Sequence, residues 1–297
     1  MTGIITVASP AKINIGLEVT QRRDDGYHEL VTIMQAISLA DVFEWTDTGK
    51  PFVYQSPPGI PPEIDLTARA LATATDRQSW SGTLRVLKHI PVSAGLGGGS
   101  SNAAIALLIA DPDADDATMH ERASSLGSDV PFFLTGGTAV ARGTGTDLTP
   151  QSGSGGWVVV LTPDIAIASK TATLYRSLSV ADFSDGKQVE AIANLLATGT
   201  IPAEQPPNTF TGALEAFEPV RQAREMLLQA GAPWVTVSGA GPSLYTLVAD
   251  ENQANAIADR IRPEEGKVFL ARTVSDTRHA DAARELGRRI RGIDGAR

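Results

Sequence analysis

The sequence predicts an α+β fold in two domains, and three observations carry that expectation. A chain of 297 residues is long enough for two cores of ordinary size. Segments with apolar and β-branched residues at period two are interleaved with segments of helical character, and the strands of the first half read as antiparallel. A short, polar, flexible stretch, QSGSGG from Gln151 to Gly156, divides the chain. The expected domains are therefore 1–152 and 156–275, followed by a tail at 276–297 to which the sequence assigns no role.

Strands are expected at Ile4 to Ser9, Ile13 to Thr20, Val31 to Leu39 and Asp41 to Trp45, where apolar residues alternate with small or polar ones. After the proline-rich SPPGIPPE, Asp65 to Thr75 reads as a helix, and a strand from Thr83 to Ile90 leads into a glycine loop. Ala103 to Ala110 continues from that loop as a helix apolar on all sides, hence buried. A helix from Ala117 to Leu126, the segment GSDVPFFL, and a glycine-marked strand pair around Gly136 to Gly145 complete the first half. Trp157 to Leu161 opens the second half as a buried strand. Helices around Val189 to Ala197, Leu214 to Phe217 and Arg221 to Ala230 follow, then a strand from Trp234 to Ser238 and a second glycine turn, SGAGPS, running into another strand. From Thr277 onward the chain is rich in arginine, with helical spacing and few apolar residues, which reads as a solvated or frayed tail rather than a binding arm. There is no internal repeat.

Composition bounds the chemistry. Hydrophobic residues at 42% and charged residues at 20% describe a soluble globular protein. A net charge of −9 disfavours nucleic acid or an anionic membrane as partner, because such binding depends on clustered cations. An acidic protein that holds phosphates does so locally, with backbone amides, one or two placed lysines and a divalent cation. The absence of cysteine excludes disulfides, thiolate nucleophiles and cysteine-based zinc sites. His28, His89, His120 and His279 form no HExxH pattern, and the first residues lack the basic and apolar regions of a signal peptide, so a cytoplasmic protein is expected.

The most informative stretch is PVSAGLGGGSSNAA, from Pro91 to Ala104. Gly95, Gly97, Gly98 and Gly99 lack a Cβ, so their amides are free to approach an anion closely. Ser100, Ser101 and Asn102 stand where N-caps stand, which aims a helix N-terminus at the loop, and its unpaired N–H groups favour a polyphosphate. The alternative is a flexible turn between a strand and a helix. Other glycine-loop families are excluded. The Gly-Lys pairs at Gly49, Gly186 and Gly266 are followed by Pro51, Gln188 and Val268, so no Walker loop exists. The spacing from Gly95 and Gly97 ends in Ser100 where a dinucleotide fingerprint needs glycine, and neither HRD nor DFG occurs.

Three further segments carry candidate chemistry. In PAKINIGLEV, Lys12 and Asn14 share one face of a strand, because side chains two apart point the same way. In DDGYHEL, Tyr27 and His28 sit on a turn that is either a hairpin tip or a binding feature. In GSDVPFFL, Asp129 precedes Pro131 and reads equally as an N-cap of a short helix or as a functional carboxylate.

In their order, PAKINIGLEV, RRDDGYHEL, PVSAGLGGGSSNAA, GSDVPFF and SGAGPSL resemble the GHMP kinases, the group of galactokinase, homoserine kinase, mevalonate kinase and phosphomevalonate kinase. The resemblance runs from about Pro10 to about Thr273, and DGYHEL with the triple glycine points to the members that act on a cytidyl-diphosphate sugar alcohol in isoprenoid precursor synthesis. It implies an N-terminal domain like ribosomal protein S5 domain 2, a ferredoxin-like C-terminal domain and a site between them. The implied reaction moves the γ-phosphate of ATP, with Mg²⁺, to the tertiary 2-hydroxyl of the substrate's methylerythritol unit. Lys12 and Asp129 match the family's catalytic pair. Pro91, Val92, Ser93, Ala94, Gly95, Leu96, Gly97, Gly98, Gly99, Ser100 and Ser101 match its ATP loop. Tyr27 and His28 match the residues that hold the cytosine by stacking and hydrogen bonds, while Asn14 and Thr171 match further substrate contacts. Asp129 would accept or orient the hydroxyl proton, Lys12 would balance developing charge, and Ser100 or Ser101 would reach Mg²⁺ or a phosphate oxygen. Two positions depart from the family pattern. Asp65-Leu66 stands where an Asn-Leu pair is usual, and NTF, Asn208 to Phe210, replaces an NDLE-like signature.

Overall fold

Antiparallel pairing of β1 (Ile4–Arg22) with β2 (His28–Pro51) forms the centre of a first sheet. The computed structural model describes residues 3–61, 63–167, 170–262, 266–275 and 278–292. Each long strand reads in the sequence as two. Irregularities in β1 at Pro10/Ala11, Asn14/Leu17 and Val19/Gln21 explain why, since a bulge shifts the alternation of side chains while the ladder continues. With β3 (Val53–Gln55), β4 (Ser81–Leu87), β5 (Thr138–Arg142) and β6 (Asp147–Gln151) the order is β3-β4-β2-β5-β6, and β1 pairs with β2.

Four helices accompany this sheet: α1 (Leu66–Leu71), α2 (Gly98–Ala110), α3 (Asp116–Leu126) and α4 (Phe132–Thr135). Every residue of α2 from Ser101 to Ala110 is buried, as expected of a helix apolar on all sides. Asp65 is the N-cap of α1, accepting from the Thr67 and Ala68 amides and from the Tyr54 hydroxyl at 3.0 Å. Its carboxylate is therefore committed to folding.

The second sheet consists of β7 (Trp157–Thr162), β8 (Thr236–Val237), β9 (Leu244–Val248) and β10 (Lys267–Arg272), antiparallel in the order β10-β7-β9-β8. Numbered within this half, the order is fourth, first, third, second, the ferredoxin-like arrangement. Helices α5 (Lys170–Ser177), α6 (Lys187–Ala197), α7 (Thr211–Glu215), α8 (Glu218–Gln229) and α9 (Glu251–Ala258) lie in its connections. Among the described residues no helix is long and apolar enough to cross a membrane.

One apolar cluster joins the halves. Ala11, Ile13 and Ile15 of β1 and Ile33 and Ile37 of β2 pack with Val158, Val160, Tyr245 and Leu247 of the second sheet. Each fully buried isoleucine contributes about 1.5–3 kcal/mol. Because neighbouring side chains of a strand point to opposite faces, burying the odd-numbered residues of β1 here turns Lys12 and Asn14 the other way. A polar tie reinforces the junction: buried Glu18 accepts the Val189 amide at 2.8 Å in the first turn of α6, where a carboxylate satisfies an orphan donor and the helix dipole.

The arginine-rich C-terminal stretch is not a solvated tail. Residues Arg278–Ile290 form α10, which buries His279, Ala280, Ala283, Leu286, Gly287 and Ile290 against the first half. Gly287 lies so close to α2 that a Cβ would meet Ile109 O at 2.5 Å. Arg291 donates to Ile109 O at 2.9 Å and to Ala110 O, pairs with Asp76, and lies 4.8 Å from the Trp80 ring centroid. Arg284 donates to Pro112 O at 2.6 Å. The buried residues recur at three- and four-residue spacing, half of them alanine or glycine and the others His279, Leu286 and Ile290, while long arginines reach over the carbonyl end of α2. Arg291→Ala removes these bonds, and charge-assisted hydrogen bonds are worth about 1.5–3 kcal/mol. Thermal unfolding should show Tm lowered by roughly 4 °C or more, and an unchanged Tm would mean that α10 adds nothing to the core. Residues 276, 277 and 293–297 of the expected tail lie outside the described residues.

Candidate active site

A cleft of about 1570 Å³ opens between the two sheets. Lys12 and Asn14 of β1 form part of its floor, and Tyr27 and His28, at the turn between β1 and β2, line one side. Ser93, Gly95 and Gly97 come from the glycine loop, Asp129 from the connection before α4, Thr171 from α5, and Gly239 from the second glycine turn. Residues spread over most of the sequence thus share one space.

Lys12 Nζ lies 3.3 Å from Asp129 Oδ2, the ammonium deeply buried and the carboxylate about a third exposed. Asp129 caps no helix, since the N-cap of α4 is Pro131 and carries no side-chain cap bond. Lys12 also donates to Asn14 Oδ1. Asn14 in turn donates to Thr32 Oγ1 at 2.9 Å, and that hydroxyl donates to Gly16 O at 2.6 Å. A chain of buried hydrogen bonds therefore fixes the ammonium opposite the carboxylate.

The glycine loop departs from its expected form. Gly97, at φ 71°, is the N-cap of α2, and Ser100, Ser101 and Asn102 lie inside the helix. Ser101 is fully buried, its hydroxyl 2.7 Å from that of Ser9, which also donates to Asn102 Oδ1 at 2.8 Å. It is not available to a ligand. Three of the four glycines are required by close packing: a Cβ would meet Ser238 O at 2.3 Å from Gly95, the Phe133 ring at 2.8 Å from Gly97, and Ile90 at 2.9 Å from Gly98. Only Gly99 of the four faces open space. The first backbone bond into α2 runs from the Ser101 amide to Gly97 O, so the amides of Gly98, Gly99 and Ser100 precede it as free donors at the positive end of a buried helix.

Pro91, Val92, Ala94 and Leu96 do not line the cleft, and Gly98, Gly99 and Ser100 follow directly on its lining residue Gly97 as the start of α2. Ala94 and Leu96 are buried, their carbonyls accepting the Ser243 and Lys12 amides. Val92 is 67% exposed and lines, with Pro91, Ser93 and Ala94, a separate cavity of about 1020 Å³ that also borders α8. The second glycine turn docks directly on the loop. Ser238 Oγ donates to Gly95 O at 3.0 Å, and a Cβ on Gly239 would sit 2.9 Å from Asn14 Oδ1. Asn208 of the altered NTF segment holds that turn, donating to Val237 O and Gly239 O at 3.0 Å each.

Tyr27 and His28 differ in setting. Tyr27 is 66% exposed at the rim, whereas His28 is buried, its ring centroid 5.0 Å from Tyr175 and 6.0 Å from Phe183. Burial, and then the positive charge of Arg22, lower the His28 pKa, so the imidazole is neutral at neutral pH and offers one donor and one acceptor. Burial and the Asp129 charge push the Tyr175 hydroxyl up to about 12, keeping it a donor throughout the working range.

Sequence reasoning missed several cleft residues. Tyr175 packs edge-on to Phe210 with centroids 4.9 Å apart, and Arg22, Lys170 and Arg176 bring cations to the lining. The fourfold spacing of Thr171 and Tyr175 on one helix face was a usable signal. Nothing local marks the others.

Comparison with known proteins agrees with this geometry. Residues 65–137 match the GHMP kinases N terminal domain and residues 202–268 match the GHMP kinases C terminal family, so the fold is that of a GHMP kinase. The chain is 34% identical over 280 residues to 4-diphosphocytidyl-2-C-methyl-D-erythritol kinase of Dehalococcoides mccartyi, covering 91% of this chain and 99% of that one. The enzyme of the same name from Thermus thermophilus is 36% identical over 260 residues, with 86% and 91% covered. A crystal structure of 4-(cytidine 5'-diphospho)-2C-methyl-D-erythritol kinase superposes with a TM-score of 0.77 at 32% identity, covering 91% of this chain and 99% of that one. The chain belongs to the 4-diphosphocytidyl-2-C-methyl-D-erythritol kinase family.

Proposed function

We propose that the protein transfers the γ-phosphate of ATP to the 2-hydroxyl of 4-diphosphocytidyl-2-C-methyl-D-erythritol. The observation that carries this reading is the pairing of Lys12 with Asp129 in the cleft that Tyr27, His28 and Tyr175 also line. Aromatic rings with a neutral imidazole suit a flat, uncharged cytosine. Arg22 and Arg176, both on the lining, supply charge for the acceptor's diphosphate.

Phosphoryl transfer asks the protein to align a hydroxyl and to offset charge on the moving group. The free amides of Gly98, Gly99 and Ser100 receive the phosphate chain of the nucleotide. Asp129 accepts the proton of the acceptor hydroxyl as its oxygen bonds to the γ-phosphorus and the bond to the bridging oxygen of ADP breaks. Lys12, fixed by Asn14, keeps the carboxylate aimed and stabilises negative charge on the transferring oxygens.

The residues present fit a nucleotide-borne Mg²⁺. Among the described residues no group of three or more His, Cys, Asp or Glu side chains is arranged to hold a metal, and Mg²⁺ commonly takes most of its ligands from phosphates and water. Ser100, half-buried in the first turn of α2, is the serine left to it, since Ser101 bonds Ser9. When bound, the ion neutralises part of the triphosphate charge.

A coupled ADP-release assay tests the reading, comparing the cytidyl-diphospho-methylerythritol acceptor with homoserine and mevalonate. Turnover with the first alone is expected, and equal or better turnover with either small alcohol would overturn it. Tyr27→Ala should raise KM for the cytidyl acceptor about tenfold through lost stacking, with KM for ATP nearly unchanged. Equal effects on both substrates would remove Tyr27 from the base site.

A further inference from the structure

One cation in the cleft has no part in this scheme. Lys170, the first residue of α5, donates from Nζ to Ser93 O at 2.8 Å and to Gly241 O, one carbonyl from each glycine turn. An ammonium carries three donors, so one remains. Asp129 is paired with Lys12, and among the described residues no carboxylate pairs with Lys170. A partly buried ammonium beside a second ammonium, held only by neutral carbonyls, lacks a counter-charge, and its burial is favourable only when an anion completes the set. The backbone beneath it is specialised. Ser93 has φ 57°, the only positive φ outside glycine among the described residues, and such conformations concentrate where a ligand is held.

Building on the kinase reading above, we infer that Lys170 is a further phosphate-binding residue of this enzyme, donating its remaining N–H to the transferable end of the nucleotide's phosphate chain. Its position explains the choice. Lys170 anchors on Ser93, in the loop that leads into the free amides of α2, and on Gly241, two residues beyond the Gly239 that abuts Lys12 and Asn14. A cation there spans the gap between nucleotide and acceptor.

The charged and titratable groups facing this space are Lys12 from the floor, Asp129 from the connection before α4, Arg22, Asp25, Tyr27 and His28 from the β1–β2 side, and Tyr175 and Arg176 from α5 itself. Burial, and then Lys12, lower the Lys170 pKa to about 8. The charged form is therefore present below that pH and lost above it, so kcat/KM for ATP, which reports the free enzyme, should fall as pH rises past about 8.

The test compares Lys170→Met and Lys170→Arg with the parent in ADP release across pH, in binding of a non-hydrolysable ATP analogue, and in Tm. Lys170→Met should lower kcat/KM for ATP ~100-fold, the scale of one lost donor to a transferring group, and weaken the analogue, with Tm nearly unchanged. Lys170→Arg should recover most of the rate and move the alkaline limb upward, because guanidinium stays charged. Three results would overturn the inference: a Met variant within threefold of the parent, a loss confined to KM for the cytidyl acceptor, which would place its diphosphate on Lys170, or equal losses of Tm and activity in both variants, which would make the residue a strap. If the parent releases no ADP with the cytidyl acceptor, the proposed function fails, while the analogue titration still decides Lys170.

Discussion

Asp129→Asn is expected to lower kcat by about three orders of magnitude while nucleotide binding persists. The substitution keeps shape and removes the charge paired with Lys12, 3.3 Å away. An amide does not take a proton from an alcohol, and general-base contributions of ~10²–10⁴ are typical. In the proposed scheme nucleotide affinity depends instead on the amides at the start of α2. Single-turnover kinetics separate the two, since loss of a group acting only in the transition state lowers kcat and kcat/KM together. A variant with kcat within tenfold of the parent would show that Asp129 only neighbours the reacting atoms.

Lys12→Met should be nearly as damaging, for a different reason. Its ammonium is buried with two partners, Asp129 Oδ2 and Asn14 Oδ1. Methionine fills similar space but strands both oxygens, and an uncompensated carboxylate beside an incoming triphosphate repels it. The expected result is a loss of ~10²–10³ in kcat with a raised KM for ATP, measured by the same ADP release. Lys12→Arg should not rescue, because a planar fork replaces the compact ammonium that Asp129 Oδ2 and Asn14 Oδ1 hold. Full activity in either variant would remove the ammonium from the chemistry.

Much of the site was readable because its signals are local. The alternation that places Lys12 and Asn14 on one side of β1 follows from strand geometry, and the all-apolar run after the glycines marks a buried helix with its N-terminus at the loop. The reasons for the glycines were not readable. Gly95 and Gly97 are glycine because the second glycine turn and Phe133, both distant in the chain, press on them, and Gly98 because the loop folds back on Ile90. Ser101 is likewise claimed by Ser9, 92 positions earlier. The helical spacing of the C-terminal stretch was legible but its burial was not, because half of its buried face is alanine or glycine and arginines cover the rest of the helix.

Residue type and spacing alone determined that this chain carries a glycine loop leading into a buried helix, a strand with Lys12 and Asn14 on one face, a lone carboxylate before a proline and an aromatic turn. Whether these meet, and which of them is free to act, was decided only when the second sheet packed on the first. The cause is physical. Alternation and helix ends arise from bonds between near neighbours, whereas a side chain's partners depend on which distant surface buries it. That is why Ser101 went to the core, Asp129 went to Lys12, and Lys170 arrived unannounced between two glycine turns.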